Sequence, residues 1–335
     1  MRKVLPMGNP IMDSYPSYGG GFSILDAYTK EHLPWVYNTF VQVAGSNKRG
    51  QENLISYVGP DIFLCPMLDV TYLNRNLALS MMDPISLVKS FIEKGYYFYA
   101  YFQVEHVMAY KEAPFRIHEM LICGYDDERE EFYFADNYKQ GKYAHGVASY
   151  AEVEKAIHVD AEFDDRVGLR GFKHKEHDKI VSFEFNKEVY ITLLEDYVYQ
   201  RDSRRFWQMP GLVISIYENR TYGIGVYSYI REHLDFIKRT NEHMDWRGFY
   251  VLKEQKKLLT KSLEYVLGDA LAVRNPVLGD KLNEVKKIIE INLNLCLKYN
   301  ITRNVGIVER MDKYVLILEE LDRALYLGLV NLLRG

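Results

Sequence analysis

The sequence predicts an α+β fold with helices first, an antiparallel sheet after them, and an all-helical C-terminal domain. Residues 96–110 are dense in aromatic and β-branched residues, which is typical of a long strand. Two further β-rich runs within 119–135 are joined by a polar turn and predict an antiparallel hairpin. From Asn186 onward the apolar residues recur at helical spacing. Helices followed by adjacent antiparallel strands are the α+β arrangement.

Charge marks the predicted domain boundary. Residues 159–180 contain two strongly charged runs, DAEFDDR and KHKEHDK. The sequence therefore predicts two domains, 1–180 with the sheet and 181–335 with the helices. Within the charged stretch, residues 167–172 are compatible with one more strand of the first sheet.

Composition narrows the classes of protein to consider. The chain of 335 residues is 48% hydrophobic and 26% charged, with a formal net charge of −4 and no long block of Lys and Arg, which argues against nucleic acid as a partner. No run approaches the roughly 20 apolar residues of a membrane span, and the first residues lack the apolar core of a signal peptide. The 3 cysteines form no CxxC pair. These features predict a soluble cytoplasmic protein that does not bind membranes.

The N-terminal segment favours irregular structure. Residues 1–23 are rich in Gly, Pro, Ser and Tyr, so they are not expected to be one regular helix or strand throughout. The glycines at 19–21 lack the flanking residues of a phosphate loop and indicate a flexible turn. A helix-like segment over 23–43 is interrupted at Pro34, and residues 57–64 predict a short strand.

Several helices are predicted from end signals and periodicity. Residues 74–82 and 84–93 are expected to be helical, the second with proline in its first turn. A serine followed three residues later by glutamate is a capping-box signal for a helix over 149–157. The C-terminal half contains long amphipathic segments with a break at Asn275-Pro276, and these segments are 258–271, 282–297 and 305–333.

The hairpin carries the first candidate site residues. His118 stands at the head of the apolar run of the first strand, and the second strand leads into Asp136. A hairpin of this length returns the chain beside its start, so Asp136 can come level with His118. A carboxylate beside an imidazole fixes the tautomer and orientation that a general base requires. An ordinary hairpin with a solvated histidine at its edge fits the same pattern.

A histidine–aspartate pair needs a nucleophile, and the sequence offers two. Cys65 is the stronger nucleophile by chemistry, but it lies in an apolar stretch where free cysteine is usually a small buried side chain. Cys123 lies five residues after His118 and faces the opposite side of a regular strand, so it cannot point at the same site without a bulge. Cys296 lies within an apolar helical run that predicts a core position. Ser14 precedes the glycine-rich turn and a helix, where backbone N–H groups converge and can stabilise an oxyanion.

The run HEMLICGYDDEREEFYFADNY, with the aromatic strand and PWVYNTFVQV before it, resembles the N-terminal domain family of butirosin biosynthesis protein H. That family is related to papain-like and C39-like cysteine peptidases, and the resemblance covers roughly residues 5–160. It implies a papain/C39-like domain with a nucleophilic cysteine opening a helix, a histidine about a hundred residues later, and an Asp or Asn on the hairpin. In this sequence the matching positions are Ser14, His118 and Asp136, with Asn137 as the adjacent second choice for the orienting residue.

Ser14 departs from the family pattern. Family members usually read "DCY" where this chain has Asp13-Ser14-Tyr15. Two explanations stay open: a Cys→Ser variant that inactivates or traps the enzyme, which we favour, or a natural member that works with a hydroxyl or is inactive. Serine is far less acidic than cysteine, so a pair tuned to make a thiolate activates it poorly. By analogy with papain-like sites, Asn9 is a candidate oxyanion donor beside the Ser14 backbone N–H.

The resemblance implies an amide-forming acyltransferase of natural-product biosynthesis, such as nonribosomal, thiotemplated peptide and antibiotic assembly. A relative is the cysteine-protease-like amide synthase of closthioamide formation. The expected donor is an acyl or peptidyl carrier protein with a phosphopantetheine thioester, and the acceptor is an amine. The helical domain would cover the cleft or dock the carrier protein. No cofactor is expected.

Other functions remain as alternatives. A cysteine peptidase or amidase would differ only in admitting water to the acyl-enzyme. A catalytically silent binding protein on the same scaffold would retain a native Ser14. In a third alternative, Cys65 is the nucleophile. His174 and His177 lack the HExxH spacing and their surroundings are charged, so no metal site is predicted.

Overall fold

The computed structural model describes residues 1–46, 53–159, 168–175, 183–207 and 220–335. Its strands are β1 (Arg2–Val4), β2 (Val43–Gly45), β3 (Ile55–Tyr57), β4 (Leu68–Leu73), β5 (Tyr97–Phe102), β6 (His118–Asp126), β7 (Glu131–Lys139), β8 (Lys142–Ser149), β9 (Leu169–His174) and β10 (Thr221–Tyr222). Mixed helices and antiparallel sheets confirm the predicted α+β class.

The helices lie between and after these strands. They are α1 (Pro16–Tyr28), α2 (Leu33–Thr39), α3 (Arg75–Met81), α4 (Pro84–Glu93), α5 (Tyr150–Ala156), α6 (Lys187–Tyr199), α7 (Val226–Thr240), α8 (Arg247–Leu267), α9 (Leu271–Arg274), α10 (Pro276–Thr302) and α11 (Val305–Arg334). Among the described residues, no helix has the length and apolar character needed to span a membrane.

The chain divides into two compact units. The first consists of Met1–His32 and Asp61–Phe183, and the second of Leu33–Pro60 and Glu184–Gly335. The sequence placed residues 33–60 in the first domain, whereas the structure groups them with the second unit. The reason is strand pairing, because β2 lies between β3 and β10, and β10 comes from the C-terminal half of the chain.

The first unit is built on a sheet in the order β4-β9-β5-β6-β7-β8, and β1 pairs with the C-terminal part of β6. The predicted hairpin is β6 and β7, with Leu121 opposite Ala135. The strand suggested at 167–172 is β9, which fills the place between β4 and β5. Every pairing in this sheet is antiparallel.

Two strand predictions were too long. The strand predicted over 96–110 ends at Phe102 and continues as 3₁₀ turns, Val104–His106 and Met108–Tyr110. The backbone N–H of Gln103 donates to the carbonyl of Ala156 instead of to a neighbouring strand. The strand predicted over 57–64 is also wrong beyond its first residue, because β3 ends there and Ile62–Leu64 is a 3₁₀ turn.

The glycines at 19–21 are not a turn, because they lie inside α1. A β-carbon on Gly19 would lie 2.5 Å from the Tyr143 ring, and one on Gly20 would lie 3.1 Å from Leu121. A β-carbon on Gly21 would collide with Ile62. Three successive positions without side chains therefore let α1 pack closely on the sheet and on the 3₁₀ turn at Ile62, and this packing compensates for the weak helix propensity of glycine.

Helix ends that depend on local capping agree with the sequence. Asn74 and Asp83 cap α3 and α4 through side-chain oxygens that accept backbone N–H groups of the first turn. Ser149 and Glu152 form the predicted capping box of α5. The predicted break before residue 276 separates α9 from α10, with Asn275 as the N-cap of α10.

The second unit is mainly helical, but it is not all-helical as predicted, because it contains the small sheet β10-β2-β3. Its core holds a fully buried ion pair, with Lys256 Nζ 2.8 Å from Asp322 Oδ2. The hydroxyl of Tyr197 donates to the same oxygen at 2.6 Å and that of Tyr227 at 2.9 Å. Residues from α6, α7, α8 and α11 thus meet at one carboxylate.

Candidate functional site

The hairpin brings His118 and Asp136 together. Nδ1 of His118 lies 2.6 Å from Oδ2 of Asp136. An ionised carboxylate only accepts hydrogen bonds, so Nδ1 carries the proton and donates it. In the neutral ring Nε2 is then the basic nitrogen. This is the tautomer that a general base requires.

Asp136 is held rigidly because its carboxylate has several donors. Its side chain is fully buried. Besides His118, the Tyr110 hydroxyl donates to Oδ2 at 2.6 Å, and the backbone N–H of Asn137 donates to Oδ1 at 2.6 Å. These hydrogen bonds hold the carboxylate in one orientation, and the carboxylate in turn fixes the orientation of the imidazole.

The surroundings of His118 favour its charged form. Phe115 stacks on the ring with centroids 4.1 Å apart. Burial by itself lowers the pKa of His118, but the charge and hydrogen bond of Asp136 and the neighbouring Glu119 outweigh burial, so the pKa is raised above its ordinary value. Burial in turn raises the pKa of Glu119. Asp136 and Glu119 therefore stabilise the imidazolium that forms when the ring accepts a proton.

Asn137 connects the hairpin to the segment that carries Ser14. Its side-chain Nδ2 donates to the carbonyl of Asp13 at 2.6 Å. Ser14 follows Asp13 directly, and α1 begins two residues later with Tyr15 as an extended N-cap that makes no side-chain cap bond. The first turn of a helix leaves backbone N–H groups without intrahelical partners, and its positive end favours anions. Adjacent residues of β7 therefore hold the imidazole and the chain beside Ser14.

The structure does not bring Asn9 to this place, which corrects the sequence-based assignment of Asn9 as an oxyanion donor. The backbone N–H of Asn9 donates to Asp26 Oδ2 at 3.2 Å, in the last turn of α1. The preceding residue, Gly8, donates to the carbonyl of Ser23. Ser14 precedes the other end of this helix, whose first residue, Pro16, lies about 15 Å from Asp26 at 1.5 Å per residue.

The cysteines lack the properties of a nucleophile. Cys65 is 2% exposed, and burial raises the pKa of its thiol to about 12. Burial likewise raises the pKa of Cys123 to about 12 and raises that of Cys296. A reactive cysteine needs a solvent-accessible thiol with a lowered pKa. The hypothesis that Cys65 is the nucleophile is therefore not supported.

The described residues contain no group of His, Cys, Asp and Glu side chains that could hold a metal ion. His174 lies in β9, where its ring stacks on Tyr28 with centroids 4.8 Å apart. His177 lies outside the described residues.

No protein-family model matches the chain, and no curated protein matches it. The resemblance to the butirosin biosynthesis family therefore stays a prediction.

Two side chains that complete the histidine–aspartate arrangement were not predicted from the sequence. Tyr110 was expected inside a long strand, but it lies in a 3₁₀ turn from which its hydroxyl reaches Asp136. Phe115 follows Pro114 in the same connection and covers the imidazole. The polar residues Gln103, Glu105 and His106 interrupt the aromatic run and are a signal that the strand ends earlier.

Proposed function

We propose that this protein is an amide-forming acyltransferase of natural-product assembly. It takes an acyl group from a carrier-protein thioester and passes it through the side chain at position 14 to an amine. His118 is the general base and Asp136 orients it. The observation that supports this proposal is the 2.6 Å hydrogen bond between His118 Nδ1 and buried Asp136, which leaves Nε2 available for proton transfer.

In the first half of the reaction the side chain at position 14 attacks the thioester carbonyl. His118 Nε2 removes the proton of the attacking group, and the carbonyl electrons move onto oxygen to give a tetrahedral intermediate. When this intermediate collapses, the carbon–sulfur bond breaks and the phosphopantetheine thiolate leaves with the proton from His118. An acyl-enzyme remains.

In the second half the amine attacks the acyl-enzyme, and the neutral His118 accepts one proton from the amine nitrogen. Collapse of the second tetrahedral intermediate forms the amide and returns the proton to the side chain at position 14. The same site becomes a hydrolase when water replaces the amine, so the choice of acceptor depends on excluding water.

The residue at position 14 sets the rate. A serine hydroxyl is much harder to ionise than a thiol, and one histidine–aspartate pair activates a thiol more readily. We therefore expect Ser14→Cys to acylate faster than the protein with Ser14. The α1 N-terminus next to this position favours a thiolate in the same way.

The test is to incubate Ser14→Cys with an acyl carrier thioester and a set of amines, with Ser14→Ala as the matched control. Intact-mass analysis followed by peptide mapping should show an acyl adduct on residue 14 of Ser14→Cys and none on Ser14→Ala. Amide should form when an amine is present. Release of free acid alone would favour the hydrolase, and the absence of any adduct on residue 14 would overturn the proposal in favour of a binding protein. An adduct on Cys65 would overturn the assignment of the nucleophile.

A further inference from the structure

The last helix, α11, exposes a face that is complementary to itself. Three large apolar side chains in the middle of this helix are exposed: Leu316 at 43%, Ile317 at 44% and Leu327 at 39%. Between them lie Glu320, which is exposed, and Arg323, whose side chain is 42% exposed. Soluble helices normally cover apolar side chains of this size when they cluster on one face.

Four of these side chains are arranged symmetrically along the helix. Leu316 and Leu327 are equally far from a point between residues 321 and 322, and so are Glu320 and Arg323. Their spacing of three and four residues places all four on one side of the helix. If a second copy of the helix is laid antiparallel across that point, each leucine meets a leucine and each glutamate meets an arginine.

We propose that this face of α11 binds a second copy of the protein and forms a two-fold antiparallel dimer. In the dimer Leu316 packs on Leu327 of the second copy, and Glu320 pairs with its Arg323, each contact occurring twice. A two-fold axis requires a self-complementary patch, and this arrangement satisfies that requirement. The inference is independent of the proposed acyltransferase activity, because it uses residues of the second unit alone.

A second pair of charges on the same face fits the same register. Glu309 and Arg334 are equally far from the same point, near the two ends of α11. The guanidinium of Arg334 is 2.5 Å from Glu195 of its own chain, but its side chain is 59% exposed and retains donors for a second carboxylate. Within the chain Arg323 contacts Glu319 only at 3.5 Å, so it can exchange that contact for Glu320 of the second copy.

The expected dimer has moderate affinity. A contact along one helix face lies at the small end of specific interfaces, so association should depend on concentration. Sedimentation velocity of the full chain from about 1 µM to about 1 mM should show a monomer–dimer equilibrium. A single monomeric species over the whole range would overturn the proposal.

Charge reversal tests the register. Glu320→Arg alone and Arg323→Glu alone each place like charges opposite one another twice, so each should weaken the dimer at least about tenfold. A matched control is Glu284→Arg on the exposed side of α10, which should leave the equilibrium unchanged. Unchanged dimers of the two α11 variants would overturn the proposal.

Mixing the two weakened variants separates a repulsive contact from a folding defect. Glu320→Arg carries two arginines on the face and Arg323→Glu carries two glutamates, so the two chains are complementary to each other. Native mass spectrometry of the mixture should show a heterodimer, and the double variant Glu320→Arg/Arg323→Glu should regain the homodimer. Failure of both would overturn the antiparallel register.

Discussion

His118 Nδ1 donates a 2.6 Å hydrogen bond to Asp136, and the same carboxylate oxygen accepts the Tyr110 hydroxyl at 2.6 Å. Asp136 is fully buried and therefore cannot satisfy its charge with solvent. The tyrosine keeps the carboxylate in place, and the carboxylate keeps the ring in one tautomer. The charge of Asp136 therefore affects the pKa of His118, and this effect can be measured.

Replacing Asp136 by asparagine should lower the pKa of His118 below the ordinary value of about 6.5. Burial already lowers this pKa, and the Asp136 charge is the main influence that raises it. Without that charge, burial dominates. An NMR titration of the His118 ring would measure the change. Tyr110→Phe is the matched control, because it removes one hydrogen bond and keeps the charge, so the pKa should stay raised. A pKa that remains above 6.5 in Asp136→Asn would contradict the electrostatic role.

His32 should make the protein less stable in acid. It is fully buried, and neither ring nitrogen makes a hydrogen bond of ordinary geometry with the described residues. Burial, and then the Lys30 charge, lower its pKa to about 4. Between pH 6.5 and 4 the unfolded chain therefore binds more protons than the folded one. Above about pH 6.5, His32 is neutral in both states and the free energy of unfolding does not depend on it. As the pH is lowered to 5, this free energy falls by about 2 kcal/mol.

His32→Leu should remove this dependence. The difference in unfolding free energy between variant and wild type, measured by urea denaturation, should be about 2 kcal/mol more favourable to the variant at pH 5 than at pH 7.5. In this difference, the contributions of the groups that titrate in both proteins cancel. If the difference in unfolding free energy between variant and wild type is the same at both pH values, His32 is already protonated in the folded protein at pH 5, which contradicts the prediction.

Gly19→Ala should destabilise the protein although alanine is the better helix former. The new methyl group would lie 2.5 Å from the Tyr143 ring. Overpacking costs about 1–3 kcal/mol, whereas the gain in helix propensity is about 1 kcal/mol at most. Urea denaturation measures the net effect. In a double-mutant cycle, Tyr143→Leu should reduce the cost of Gly19→Ala. A gain in stability from Gly19→Ala alone would show that α1 does not pack this closely.

Lys256→Met should strongly lower the unfolding free energy. Lys256 and Asp322 are both fully buried, so removing the ammonium leaves a buried carboxylate without a cation. The expected loss is about 3–5 kcal/mol, and Lys256→Met/Asp322→Leu should recover much of it. Chemical denaturation of the three proteins measures both effects. Equal stability of Lys256→Met and wild type would mean that Tyr197 and Tyr227 satisfy Asp322 by themselves.

Local signals in the sequence were sufficient for much of the fold. The capping box of Ser149 and Glu152 and the break at Asn275-Pro276 depend on residues within one helical turn, so they were visible without any tertiary contact. The hairpin that carries His118 and Asp136 is likewise a local structure, with two strands and a polar turn between them. The sequence could therefore place this pair of side chains side by side.

Contacts between distant segments were decided only by the tertiary structure. The glycines at 19–21 form helix because ring and branched side chains from residues 62, 121 and 143 fill the space where their own side chains would lie. Tyr110 leaves the strand because its hydroxyl has a buried carboxylate to bind. Asn137 reaches the Asp13 carbonyl across 124 positions of sequence.

The sequence by itself thus determined the locally capped helices α3, α4 and α5, the hairpin and the His118–Asp136 pair, because each depends on neighbours along the chain. The tertiary structure decided that α1 starts beside Asn137, that Asn9 lies at the far end of that helix, and that residues 33–60 join the second unit. These features follow from close packing and strand pairing, which depend on side chains far apart in the sequence.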